Sequence, residues 1–281
     1  MISVVIPCYN AATTLSDQVE RLLPQVVEHD AQLVLVDNNS TDSTPQLLSE
    51  LNTSAHVVVE SATEFQSAAH ARNVGVRIAA GDLILFCDAD DLVDDDWVAQ
   101  MVAALGNHEV VTGLLEIEEL NTASQRSGRG RTTDQPTFYG VFPLAHGGNM
   151  AVTRSAWDAI GPLDEYLVAG EDLEWSMRAH LAGYSIARAT DAVVHYRYRA
   201  TAKALWTQGL AYGTFRPEVA RRVHSSLGHR ISRLAGARSW AWLLLNVTSI
   251  LNSDGRAQLA WVAGNRLGHL RGSIRSRFML I

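Results

Sequence analysis

Four short apolar runs open the chain, at 3–6, 33–36, 57–59 and 83–87, and each is continuous rather than alternating. Runs of Val, Ile and Leu without polar interruption mark strands buried on both faces. Between them, 12–27, 43–52 and 67–80 read as helical segments. The order β-α-β-α-β-α-β predicts an α/β fold with a doubly wound, mostly parallel sheet. Ligands of such sheets bind beyond the carboxyl ends of the strands. That places Pro7–Asn10, Asp37–Thr41 and Asp88–Asp91 along one polar edge.

The periodicity lapses at 120–136, a stretch rich in Ser, Thr, Gly and Arg that reads as a long loop of functional kind. A second α/β region follows, with a strand at 149–152, a short helix at 154–160, a helix at 171–182 and strands at 184–188 and 192–196. From 201 onward the pattern is helical, with breaks expected at Gly228, Gly255 and Gly272. The expected organisation is a catalytic domain over 1–200, with halves at 1–115 and 137–200, and a helical C-terminal extension over 201–281.

Charge sharpens that division. The 281 residues carry a formal net charge of −7, yet residues 1–200 hold 28 acidic against 11 basic side chains, and residues 201–281 hold 2 against 12. Body and tail therefore meet different partners. The only two cysteines, Cys8 and Cys87, lie in strand-like runs, which argues against a disulfide framework and for a reducing, cytoplasmic setting. No signal peptide is expected at the start. The apolar stretch at 240–251 has 12 residues, too short to span a bilayer, which takes about 20. The basic, Trp-bearing stretch 216–281 suits peripheral contact with an anionic membrane face; packing on the domain or homo-oligomer formation would use the same helices. No nucleic-acid recognition motif accompanies it.

The chemistry concentrates at strand ends. FCDADD at 86–91 ends an apolar strand in Asp88, Asp90 and Asp91. Such carboxylates repel unless solvated or gathered round a cation, and hard oxygen donors suit Mg²⁺ or Mn²⁺. A solvated turn capping the next helix gives the same sequence without an ion. VDNNSTDST at 36–44 places Asp37 where it can accept the imino proton of a uracil-type base, although an Asx turn would also use it. Arg72 and Asn73 open a helix, and an arginine there can reach a diphosphate or ribose. HGGNMAVTR at 146–154 has two glycines that admit close approach of a ligand, or simply turn the chain. Glu171 and Asp172 begin a helix, as capping residues or as a general base. His195 closes an apolar run, as a structural residue or as a metal ligand.

Taken in this order, VVIPCYN (4–10), VDNNSTDST (36–44), ARNVGVRIAAGD (71–82), FCDADD (86–91), GGNMAVTR (147–154) and GEDLEW (170–175) resemble the family 2 glycosyltransferases of the Rossmann-like GT-A fold. The resemblance covers residues 2–200 and implies an inverting transfer from a nucleotide sugar, UDP-linked above all, to a glycan or lipid-linked acceptor, with Mn²⁺ or Mg²⁺ as cofactor. It implies that Pro7, Tyr9 and Asn10 line the nucleoside pocket, that Asp37 binds the base, and that Arg72 helps hold the ribose or diphosphate. Asp88 and Asp90 match the DXD motif across Ala89, with Asp90 the direct metal ligand and His195 in the position of a further one. Gly148 and Asn149 would lie beside the donor sugar and acceptor. Asp172 matches the catalytic base, with Glu171 beside it. Asn38 departs from the family pattern, which often has a second acid there. A nucleotidyltransferase would share the sheet, but CYNAATTL (8–15) lacks the glycine-rich basic loop of that class. The intact acids speak against a non-catalytic nucleotide-sugar-binding protein, and a scaffold would not require this set of polar residues at strand ends.

Overall fold

The computed structural model describes residues 1–126, 135–229, 232 and 236–280. In chain order the elements are β1 (Ile2–Cys8), α1 (Leu15–Glu28), β2 (Gln32–Asp37), α2 (Thr44–Leu51), β3 (Val57–Ser61), α3 (Ala68–Ile78), β4 (Leu83–Cys87) and β5 (Leu92–Val93). They continue as α4 (Trp97–Leu105), β6 (Val110–Glu116), α5 (Ala123–Arg126), β7 (Thr137–Phe138), β8 (Phe142–Pro143), β9 (Asn149–Thr153), α6 (Arg154–Ile160), α7 (Glu171–Leu181) and β10 (Ile186–His195). The chain then forms α8 (Ala202–Leu227), α9 (Ala237–Leu245), a 3-10 turn (Val247–Leu251) and α10 (Ser253–Ser276). Of the expected loop at 120–136, residues 127–134 lie outside the described residues, and α5 occupies part of the remainder.

Two compact units result, one of Met1–Glu119 with Arg131–Arg197, the other of Leu120–Gly130 with Tyr198–Ile281. The first is built on a sheet ordered β3-β2-β1-β4-β9-β6-β10-β5. Strands β3, β2, β1 and β4 run parallel, β9 runs antiparallel between β4 and β6, and β10 is parallel to β6. The continuous apolar runs have a simple cause. Val4, Ile6, Leu33, Leu35 and Leu85 enter one core with Leu15, Leu22 and Trp97, whereas Val5, Val34, Val36, Ile84 and Phe86 enter the other with Trp157 and Trp175. Both faces of the sheet are covered, so neither tolerates polar alternation. Cys8 and Cys87 are free thiols buried in the first core.

The expected strands at 184–188 and 192–196 are a single strand, β10, whose register against β6 shifts between Ala189 and Val193. The more polar stretch between them is accommodated as an irregularity in the ladder rather than as a turn.

In the second unit α8 packs along α10 through glycines. A Cβ on Gly213 would collide with the carbonyl oxygen of Asn265, one on Gly264 with that of Trp206, and one on Gly268 with that of Leu210. Gly272 is likewise blocked by the carbonyl of Thr214, so the helix break expected there does not occur: this glycine lets two backbones touch and does not end the helix. Gly255 lies in the first turn of α10, its N–H bonded to the Asn252 cap. Gly228 does end α8, at φ 65°. No described helix is long and apolar enough to cross a membrane.

Helix propensity alone favours Ala over Gly by about 1 kcal/mol in a helix interior. At Gly213 the steric term has the opposite sign, and Gly213→Ala is expected to destabilise by about 1–3 kcal/mol, read from the midpoint of denaturant unfolding.

Candidate active site

Strand β1 is flanked by β2 and β4, so successive connections leave it in opposite directions, and this is the switch point of the sheet. Cys8 stands level with Asp37. Beyond the strand, Asn10 (φ 49°) is a fastener: its Oδ1 accepts from Thr41 N at 2.7 Å and Asp42 N at 3.3 Å, and its own N–H donates to Ser40 Oγ at 3.0 Å. These bonds pin the loop after β2 to the loop after β1. Tyr9 is half exposed and Pro7 lies in register with Val36. Asp37 Oδ1 is buried without a hydrogen-bond partner among the described residues, an acceptor that a ligand donor would satisfy. Asn38 explains its own departure from the family pattern. Its buried amide nitrogen donates to the carbonyl oxygens of Ala62 and Phe65, each at 2.6 Å, which a carboxylate would repel.

The acidic turn after β4 is held from below by α1. Gln18 and Gln25 sit on the apolar stripe of that helix and are buried. Gln18 donates to the Asp88 carbonyl at 3.1 Å and accepts from Val93 N at 3.0 Å; Gln25 donates to the Asp94 carbonyl and accepts from Val98 N, both at 2.9 Å. The sequence reading missed both glutamines, although polar residues on a buried stripe are the signal that finds them. On the other side, Asp91 Oδ1 accepts from Arg197 N at 2.7 Å.

Because β9 is antiparallel to β4, its first residue, Asn149, pairs with the last of β4, Cys87. This carries the turn before β9 to the acids after β4. A Cβ on Gly148 would strike Asp88 Oδ2, and one on Gly147 would press on the Arg72 guanidinium. A side chain at Gly148 would therefore displace the Asp88 carboxylate, and one at Gly147 would push the Arg72 guanidinium aside.

Arg72 joins the parts. Only 3% exposed, it donates to Asp88 Oδ1 at 2.6 Å and to Glu171 Oε1 at 2.9 Å. Burial works against its charge, but Asp88, Glu171 and Asp172 more than offset this and hold its pKa above the ordinary value. Glu171, also buried, is pushed from 4.5 up to about 7 by burial first and by Asp172 second, with Arg72 pulling the other way. Asp172, half-buried in the first turn of α7, accepts from Leu173 N at 2.8 Å and from Gly147 N at 3.3 Å. His146, also missed by the sequence reading, has its pKa lowered by desolvation and by Arg188, against the pull of Asp172 and Asp88.

Three expected site residues are engaged elsewhere. Asn73 donates to the Leu163 carbonyl and Glu165 Oε1 and accepts from Leu163 N, so it moors the segment leading to α7. Asn149 is wholly buried; it accepts from Trp97 Nε1 and donates to the carbonyls of Leu114 and Ala192, a knot tying three strands to α4. His195 does not join the Asp88 group. Its Nδ1 lies 2.9 Å from Glu116 and 3.2 Å from Glu119, because β10 ends beside β6, and a third carboxylate, Asp94, approaches Nε2 at 3.7 Å. Carboxylate oxygens of Asp88, Asp90 and Asp91 lie within 4.8 Å of one another, and those of Glu116 and Glu119 lie within the same distance of a His195 ring nitrogen.

The sequence matches the family Glycosyl transferase family 2 over residues 3–161 and Glycosyl transferase family group 2 over residues 83–267. The chain belongs to glycosyl transferase family 2. The succinoglycan biosynthesis protein ExoA of Rhizobium meliloti is 30% identical over 221 residues, 75% of this chain and 67% of that protein. The chain spans 56% to 67% of the length of the curated relatives it matches. The GT-A sheet recurs in the mannosyltransferase PcManGT of Pyrobaculum calidifontis, solved with GDP-Man and Mn²⁺ (TM-score 0.65, 18% identity, 96% of this chain and 86% of that one). It recurs also in S. aureus TarS 1–349, solved with UDP-GlcNAc (TM-score 0.59, 17% identity, 99% and 92%).

The Glu171 proton has a measurable consequence. The unfolded chain releases it near pH 4.5 and the folded chain near 7, so stability from this group is present below 4.5 and lost as pH rises to 7. Glu171→Gln cannot ionise. The difference in unfolding free energy between variant and parent is expected to shift in the variant's favour across that window, on the order of 1–3 kcal/mol, in denaturant titrations at fixed ionic strength.

Proposed function

We propose that the chain is a metal-dependent, inverting glycosyltransferase acting in the cytoplasm, which moves a sugar from a nucleoside diphosphate, UDP in the first place, to a hydroxyl acceptor during assembly of a surface polysaccharide, cell-wall glycan or glycolipid. One observation carries this reading: the Arg72 cluster gathers a phosphate-side acid, Asp88, and a candidate base, Asp172, round a pair of glycines against which Asp88 and the Arg72 guanidinium pack. The donors bound by PcManGT and TarS, and the place of ExoA in succinoglycan biosynthesis, favour a nucleotide sugar and a polysaccharide.

The acid cluster fits a hard divalent cation, since its donors are all carboxylate oxygens close enough to share one ion. Asp90, with Asp88, would hold Mn²⁺ or Mg²⁺, and when bound the ion supplies charge neutralisation for the departing diphosphate. The chain's own residues do the rest. Asp37 accepts a hydrogen bond from the base imino N–H with the oxygen that has no partner among the described residues, while Tyr9, Pro7 and Asn10 shape the nucleoside side. Gly148 and the Asp88–Ala89 backbone admit the donor closely. Arg72 keeps Asp88 and Glu171 in place. Asp172, oriented by the Gly147 and Leu173 amides, takes the proton of the acceptor hydroxyl as that oxygen attacks the anomeric carbon and the bond to the diphosphate breaks.

Calorimetric titration with UDP, GDP and dTDP, each with Mn²⁺ and with EDTA, tests the donor half. UDP is expected to bind only with the metal, and Asp90→Ala to abolish that binding; UDP binding that ignores EDTA overturns the metal assignment. Asp172→Asn tests the base. Turnover is expected to fall at least about a hundredfold with donor affinity retained. Release of pyrophosphate instead of nucleoside diphosphate would move the chain to nucleotidyl transfer.

A further inference from the structure

The second unit exposes a face that its own helices do not cover. Helix α9 and the 3-10 turn after it contain no buried side chain. Leu244, Leu245, Val247, Ile250 and Leu251 are each between 56% and 84% exposed, and they follow one another within eight residues. Nothing from 239 to 252 is charged, and exposed arginines stand on both sides, Arg238 before and Arg256 after. Asp254 also stands between the patch and Arg256 in the sequence. An exposed apolar patch rimmed by polar residues marks a binding surface.

The charge identifies the occupant. Residues 201–281 hold 12 basic and 2 acidic side chains, and one of the acids, Glu218, is already paired with Arg221 and Arg222. What seats on this face is therefore apolar within and anionic at its rim, as a lipid bilayer with acidic headgroups is. Trp240 and Trp242, half-buried in α9, are of the type that sits at headgroup level. The segment is too short to cross a bilayer, which leaves an in-plane placement as the one that suits it.

We propose that α9 and the 3-10 turn, residues 237–251, form an in-plane wedge that seats this chain on an anionic membrane surface. Leu244, Leu245, Ile250 and Leu251 enter the acyl boundary, and the flanking arginines meet the headgroups. The proposal stands apart from the reading of the active site.

The test is co-sedimentation of the full chain with vesicles of phosphatidylcholine alone and of phosphatidylcholine with about one-third phosphatidylglycerol. Binding is expected to the anionic vesicles and to weaken in about 1 M salt. The double variants Leu244→Glu with Leu245→Glu, and Ile250→Glu with Leu251→Glu, should each partition at least about tenfold less. Their side chains are in water already, so thermal unfolding should match the parent. A parent chain that stays in the supernatant with anionic vesicles at low salt overturns the proposal, as do double variants that bind as well as the parent. So does a parent dimer, dissolved by the same variants, that ignores vesicles, because a second copy would then cover the face. UDP titration of the same samples keeps this result separate from the donor reading.

Discussion

A guanidinium withdrawn from water must be matched by anions, and Arg72 is matched by two that come from different parts of the chain. Asp88 follows β4, Glu171 begins α7, and Arg72 itself belongs to α3. Removing any one partner would strand a buried charge, which typically costs several kcal/mol. The triad therefore couples the two regions whose acids carry the proposed chemistry. Glu171 keeps a proton to about pH 7 because burial penalises its charge and Asp172 lies beside it, with Arg72 pulling the other way.

The surrounding polar residues are scaffolding. Gln18 and Gln25 grip the backbone after β4, Asn149 joins strands to α4, and Asn73 moors the approach to α7. Each spends its donors and acceptors on main chain or on a neighbouring side chain, so the acids above them are borne by a frame with few rotamers to explore. The oxygen left over, Asp37 Oδ1, lies at the switch point of the sheet, where the fold brings ligands.

The second unit obeys a different constraint. Glycines on α8 and α10 permit contact of backbone on backbone, which gives the pair its packing without large side chains between the axes. The unit buries Leu205, Val219, Val223 and Leu280, whereas Leu244 and Leu245 of α9 and the apolar side chains of the turn that follows stay exposed.

Most of the sheet was legible because double-sided burial demands uninterrupted apolar runs, and such runs are visible one strand at a time. The same holds for the acidic turn after β4 and for Asp37 at the end of β2, since a strand's carboxyl end is read from where the apolar run stops. What the sequence could not decide is which strand lies beside which. Only the antiparallel insertion of β9 brings Gly147 and Gly148 to Asp88, and only the pairing of β10 with β6 carries His195 to Glu116 and Glu119 and away from the Asp88 group. Asn73 and Asn149 look in sequence like ligand-facing amides, yet their direction depends on carbonyls 35 to 90 residues away. Gly272 reads as a helix break until a second helix is laid against it. Local pattern determines an element because its causes lie within a few residues; the partner of a polar group or a glycine is set by the packing of the whole chain.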